Sequence, residues 1–179
     1  MIDRHKLWGM VVRAALASAF VVMVQVEAQA FQAPTTIFLV RHAEAVDGED
    51  PGLSSMGRER AAALVHAFED VALDAIHSTP LNRTLETAGP TAEHHGLEII
   101  RTDPTGTFAE DMANMLRTNH VGETVLVVSH SNTVPAIINA LGGGPLEDLP
   151  HDEYDALFLV TLSGDETRVL RMQYGRETP

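Results

Sequence analysis

The chain of 179 residues contains no cysteine. That excludes a disulfide scaffold, a cysteine-based zinc ribbon, a thiol nucleophile and a lipidated N-terminal cysteine. Aromatic residues make up only 5% of the sequence, so a packed core must be mostly aliphatic and alanine-filled. Lys6 is the only lysine, and acidic residues outnumber basic ones 25 to 12, for a formal net charge of −13. A chain of that sign repels phosphate backbones, which argues against nucleic acid as a partner. Cationic chemistry beyond the N-terminus must fall to arginine. The rest of the composition is that of an ordinary folded domain, with 45% hydrophobic and 21% charged residues. The length suits one domain.

The first thirty residues differ in character from the rest of the chain. Arg4, Lys6 and Arg13 lead into a mostly apolar run from Ala14 to Val26, and Ala28-Gln29-Ala30 comes next as a small-x-small pattern. Basic, apolar, then A-x-A is the layout of a secretory signal peptide. The apolar run is shorter than the ~20 residues that span a bilayer, and Gln25 and Glu27 close it. An uncleaved membrane anchor is the alternative. The expectation is a signal peptide over residues 1–30 and one domain over residues 31–179, periplasmic or secreted, without stable membrane insertion after cleavage.

Along the remaining chain, apolar runs alternate with helical periodicities. Ile37 to Val40 and Val125 to Val128 are continuous apolar runs, which suit strands buried on both faces. Ala61, Leu64, Val65 and Phe68 recur at helical spacing after a capping Ser54 or Ser55. Asp74 to His77 predicts a short strand, followed by a helix from Leu81 that Pro90 interrupts and Gly96 ends. Leu97 to Ile100 predicts a third short strand. Phe108, Met112, Met115 and Leu116 mark one helical face, and Val134 to Leu141 another helix, stopped by Gly142-Gly143-Gly144-Pro145. Ala156 to Leu162 and Thr167 to Gln173 predict a closing strand pair that turns at Ser163-Gly164-Asp165. Strands alternating with helices imply a single-domain α/β fold, a three-layer α/β/α sandwich around a mostly parallel central sheet.

In such folds reactive groups sit just past the carboxyl ends of central strands. Arg41-His42 follows the first apolar strand, His130 follows the second, and Arg83 opens the helix after the Asp74–His77 strand. Four segments carry a resemblance. They are Leu39-Val40-Arg41-His42-Ala43-Glu44, then Leu53-Ser54 through Gly57 to Arg60-Ala61, then Ser78-Thr79-Pro80-Leu81-Asn82-Arg83-Thr84 through Thr87-Ala88, and last Val127-Val128-Ser129-His130-Ser131-Asn132. In this order and register the chain resembles the histidine phosphatase superfamily, the phosphoglycerate-mutase-like family, over roughly residues 36–140.

The resemblance implies that His42 is the nucleophile, that Arg41 and Arg83 grip phosphate, and that His130 donates a further hydrogen bond to it. The chemistry agrees. Arginine's planar fork binds two phosphoryl oxygens at once. A neutral imidazole can attack phosphorus and hold the group as an N–P intermediate, which water then cleaves. Preorganised cations stabilise the charge on the transferred oxygens. The family often places a proton-donating carboxylic acid downstream of the second arginine. Glu110 is the preferred candidate and Asp111 the alternative, although both also suit a plain helix N-terminus. Ser131 and Asn132 are expected to contact phosphate or to cap a helix.

No metal site or cofactor is expected. His66, His77, His94, His95, His120 and His151 are read as structural or solvated, and no H-x-x-x-H spacing occurs. The acidic residues Glu147, Asp148, Asp152, Glu153 and Asp155 lack the alternating pattern of a calcium loop and are read as a solvated loop. The expected activity is hydrolysis of phosphomonoesters or phosphohistidine, on a small phosphorylated substrate or a phosphoprotein. A phospholigand-binding module and a phosphomutase are the alternatives. The loops Ala45–Leu53 and Thr102–Glu110 are the expected specificity elements, and their acidity disfavours highly anionic substrates.

Overall fold

The computed structural model describes residues 33–178; the expected signal segment lies outside the described residues. The two continuous apolar runs form neighbouring strands in the middle of the sheet. β1 (Thr35–Arg41) lies parallel to β4 (Thr124–Ser129), in register from Thr36 opposite Thr124 to Arg41 opposite Ser129. β2 (Ala75–Ser78) is parallel to β4 on its other side, and β3 (Ile99–Arg101) is parallel to β2. β5 (Ala156–Ser163) runs antiparallel to β1, and β6 (Glu166–Gln173) pairs antiparallel with β5. The order is β3-β2-β4-β1-β5-β6.

Side chains of a strand alternate between faces, and both faces of the central strands are apolar and covered. Ile37, Leu39, Val125 and Val127 enter one core with Phe108, Met112 and Leu116 of α3 (Phe108–Asn119) and with Val134, Ile137 and Ile138 of α4 (Thr133–Ala140). Val40, Leu126 and Val128 enter the opposite core with Leu64 and Phe68 of α1 (Ser55–Phe68) and with Ala88 and Ala92 of α2 (Asn82–His95). Each buried aliphatic side chain contributes roughly 1.5–3 kcal/mol. The result is the expected three-layer α/β/α sandwich with a mostly parallel sheet. No helix among the described residues is long and apolar enough to cross a membrane.

Two local expectations are corrected. Pro90 does not interrupt its helix; α2 runs from Asn82 to His95. Pro90 is exposed, and the turn after it is anchored by burial of Thr91 and Ala92, which outweighs one missing N–H. Gly96 then ends the helix at φ 65°. The acidic stretch near residue 150 is not a wholly solvated loop. Glu153 and Asp155 are buried, and Asp155 accepts hydrogen bonds from Gln173 and from both the backbone and the hydroxyl of Thr178.

The Leu53–Ala61 segment serves the fold. Ser54 caps α1 by accepting from the Gly57 N–H at 3.1 Å. A Cβ on Gly57 would lie 2.0 Å from the Glu44 carbonyl oxygen, so only glycine lets the helix approach the chain after β1. One turn on, buried Arg60 forks onto the Glu44 carboxylate and donates to the carbonyls of Tyr174 and Arg176.

Candidate active site

Because β1, β4 and β2 are parallel neighbours, their carboxyl ends open on one edge of the sheet. That edge carries Arg41-His42, His130 and Thr79. The chain leaving β1 is tied to β4 by His42 N–H donating to the Ser129 carbonyl at 2.8 Å. A cavity of about 390 Å³ lies there. It is lined by His42, Arg83 and His130, by Ser131, Asn132 and Thr133, and by Leu81 and Pro104. Leu81 and Asn132 are the N-caps of α2 and α4, so two helix N-termini add positive potential at the same place.

His42 is held in one tautomer. Its Nδ1 lies 2.8 Å from the Ala43 carbonyl oxygen. A carbonyl only accepts, so Nδ1 carries the proton and Nε2 keeps its lone pair in the neutral ring. The turn itself is fixed by α2. The Ala43 N–H donates to Thr87 Oγ1 at 2.9 Å, and the Thr87 hydroxyl donates to the Arg83 carbonyl at 2.7 Å. Burial pushes the His42 pKa down to about 4, helped by Arg41, His130 and Arg83 and opposed by the Ala43 hydrogen bond. His42 is therefore a neutral imidazole at neutral pH.

The His130 ring lies 5.4 Å from that of His42, at 66° between planes. Its backbone N–H donates to Thr133 Oγ1, and its Nε2 lies 3.0 Å from Thr79 Oγ1. Burial, then Arg83 and Arg41, lower its pKa to about 4. Arg83 lines the cavity with its Nη1 4.0 Å from Asp50 Oδ1, a carboxylate oxygen that also caps α2 by accepting from the Asn82 N–H.

Arg41 is placed differently from Arg83. It is buried and is not among the side chains that line the cavity. Its Nη1 donates to the carbonyls of Pro150, His151 and Glu153 at 3.1, 2.8 and 2.9 Å, while Nε is buried without a partner. Its charge still acts on both histidines.

Of the sequence-derived residues, the fold thus brings His42, Arg83, His130, Ser131 and Asn132 into one cavity, with Arg41 behind them. It does not bring Glu110 there. Glu110 and Asp111 are exposed on the first turn of α3, and Asp111 accepts a hydrogen bond from Thr107 Oγ1 at 2.7 Å. Among the described residues no carboxylate lines the cavity. Sequence reasoning passes over Tyr154, whose ring stacks on Arg41, and over Thr79 and Thr87. Tyr154 lies inside the acidic stretch whose charges mask it, whereas Thr79 and Thr87 lie within the arginine motif and carry a usable signal.

A separate buried pair, His77 and His120, joins Nε2 to Nε2 at 3.0 Å, and His120 Nδ1 meets Glu123 at 2.6 Å. No cluster of three or more histidines and carboxylates suited to a metal ion occurs among the described residues.

Comparison with known proteins points one way. Residues 37–104 match the profile of the Histidine phosphatase superfamily (branch 1). The chain is 39% identical over 75 residues to Phosphoserine phosphatase 1 of Hydrogenobacter thermophilus, a match covering 37% of this chain and 36% of that protein. The chain thus spans little more than a third of the length of the curated relatives it matches. Among solved structures, the protein histidine phosphatase SixA with tungstate superposes with a TM-score of 0.64 at 19% identity, covering 77% of this chain and 96% of that one. Bacillus stearothermophilus YhfR superposes with a TM-score of 0.63 at 21% identity, covering 75% and 95%. These superpositions concern the fold.

Proposed function

We propose, from the match of residues 37–104 to the histidine phosphatase superfamily and from the cavity's donor set, that the chain is a phosphatase of that superfamily working through a phosphohistidine on His42. One observation carries the reading. His42 Nδ1 is tied to the Ala43 carbonyl, which frees Nε2 as a lone pair in a cavity shared with Arg83 and His130. In the first step Nε2 attacks phosphorus, the N–P bond forms and the bond to the leaving atom breaks. In the second, water attacks phosphorus and the N–P bond breaks, returning inorganic phosphate and neutral His42. Arg83, the Arg41 charge and the two helix N-termini stabilise the transferring oxygens.

The cavity also favours a leaving-group class. A simple alkoxide needs a proton as it departs, and among the described residues no carboxylate lines the cavity to supply one. A phosphoramidate that carries its own proton, such as a phosphorylated imidazole, or an aryl ester needs little help. SixA is described as a protein histidine phosphatase and the Hydrogenobacter relative as a phosphoserine phosphatase; the cavity supports the former substrate class. The pattern of residues 1–30 supports export as well, so the working location we propose is the periplasm or the medium. Amino-terminal sequencing of the exported protein should begin near Phe31, and an intact N-terminus in the membrane fraction would overturn this.

The catalytic proposal is tested by the His42→Ala variant. It should fold and lose turnover. Brief exposure to labelled phosphoramidate followed by denaturation should leave an acid-labile, base-stable label on the wild type alone. Label on the His42→Ala protein would assign the attack to another group. A panel of phosphoramidates, aryl esters and alkyl esters, assayed with chelator present, tests the leaving-group class, and equal turnover of alkyl esters would reject it.

A further inference from the structure

His130 reaches the cavity with one ring nitrogen already engaged. Its Nε2 lies 3.0 Å from Thr79 Oγ1, which lies 2.8 Å from Thr84 Oγ1. The Thr84 hydroxyl in turn lies 2.9 Å from the Thr79 carbonyl oxygen and 2.8 Å from that of Leu81. Both threonines are buried, at 1% and 0% exposure, so water does not substitute for these partners.

The chain of hydroxyls can be proton-ordered in three ways. If Thr84 donates to Thr79, and Thr79 to His130, the run holds two hydrogen bonds and the contact from Thr84 to the carbonyls is lost. If Thr84 donates to a carbonyl while Thr79 donates to His130, the run again holds two and the Thr79–Thr84 bond is lost. If Thr84 donates to a carbonyl, Thr79 to Thr84 and His130 Nε2–H to Thr79, the same atoms make three hydrogen bonds, and buried polar groups favour the fuller set. The carbonyls thereby fix the Thr84 proton, and the fuller count fixes those of Thr79 and His130.

We propose that Thr79, backed by Thr84, is a positioning residue that holds His130 in its Nε2–H tautomer and presents an Nδ1 lone pair to the cavity. His130 Nδ1 has no protein partner among the described residues. In the free protein His130 is then an acceptor toward the cavity, not the donor that the family resemblance implies. It becomes a donor to a phosphoryl oxygen only after one proton from solvent bonds to Nδ1. Binding of a fully ionised oxyanion is thus coupled to uptake of one proton. The charged and titratable groups around the ring are Arg41 and His42 after β1 and Arg83 on α2. Burial, then the arginines, hold the proton off in the free state, and the negative charge of an arriving dianion favours the protonated ring. This rests on the reading of the cavity as a phosphoryl site, but the tautomer can be measured without any turnover.

The experiment is nitrogen-15 NMR of the histidine rings in the full chain at pH 7.5, with the His130 signals assigned by their loss in His130→Gln. The wild type should show a neutral ring with the proton on Nε2. Thr79→Val, nearly the same shape, should lose that preference, and Thr79→Ser should restore it. Addition of tungstate, a dianion at this pH, should protonate His130 Nδ1 in the wild type. Activity should follow, with kcat/KM lowered ~10-fold or more in Thr79→Val and within ~3-fold of wild type in Thr79→Ser. A wild-type ring protonated on Nδ1, or a Thr79→Val ring with unchanged tautomer, would overturn the proposal. Because the wild-type spectrum decides the tautomer alone, a poorly folding variant does not shield it. A correct tautomer in a protein without phosphatase activity would leave this inference standing and remove the functional one.

Discussion

The phenol ring of Tyr154 lies under the guanidinium of Arg41, with Cζ 4.0 Å from the ring centroid. The same ring is 6.2 Å from that of His42. Three carbonyls from Pro150 to Glu153 hold Nη1 of the arginine from the side, so one short segment before β5 fixes the cation behind the cavity. Arginine suits this place better than lysine, because a planar cation can stack on a ring and still direct several N–H groups along its edge.

Removing the ring should therefore weaken catalysis without unfolding the protein. A cation–π contact contributes about 0.5–2 kcal/mol. Tyr154→Leu is expected to lower kcat/KM by ~3–30-fold with a small change in Tm, and Tyr154→Phe to stay near wild type. Steady-state kinetics beside thermal melts check this, and loss of activity in Tyr154→Phe would assign the role to the hydroxyl instead.

The acid limb of the rate profile should lie unusually low. The neutral Nε2 of His42 is the attacking atom, and protonation removes it. Burial and the two arginines hold the pKa of both cavity histidines near 4, below the ordinary 6.5. As pH falls, protonation of His42 should cut kcat/KM only toward pH 4, with the two rings titrating as a pair, while above that kcat/KM for a dianionic substrate should rise as pH falls because productive binding takes up one proton on His130. A profile of kcat/KM on an aryl phosphate, corrected for substrate ionisation, tests this. A limb centred near 6.5 would contradict the buried, neutral nucleophile.

Glu110 is the proton donor that the family resemblance suggests, and its exposed place on α3 argues otherwise. Glu110→Gln should leave turnover of both aryl and alkyl phosphates within ~2-fold, where an essential acid would cost ~10²-fold or more on the alkyl ester alone. A selective loss on the alkyl substrate would bring the α3 carboxylate back into the mechanism.

Stability should also fall in mild acid. His42 and His77 are buried, His130 is half-buried, and all three have pKa values lowered to about 4, against 6.5 in the unfolded chain. Between those values the unfolded state binds more protons than the folded state, so stability is present above pH 6.5 and is lost as pH falls toward 4. Denaturant unfolding at pH 7.5 and 5.5 should show the loss. In His77→Gln the slope of unfolding free energy with pH should fall by about one proton. An unchanged slope in that variant would mean that His77 titrates normally.

By itself the sequence determined the layers and the strand-end positions. Apolar runs such as Ile37–Val40 and Val125–Val128 admit only strands covered on both faces, and Arg41-His42, Arg83 and His130 follow strands whose ends must coincide in a parallel sheet. Periodicity carries that information because burial is decided residue by residue along a strand or helix. Tertiary structure alone decided which nitrogen of His42 is free, that Thr79 reaches His130, that Tyr154 stacks on Arg41, and that Glu110 lies outside the cavity. Those facts depend on contacts between residues separated by as many as 113 positions, as Arg41 and Tyr154 are, and on the rotation of α3 about its axis. Local propensity fixes neither. The same reason explains Pro90, where burial of Thr91 and Ala92 against the sheet carried a helix through a residue that local rules place at its end.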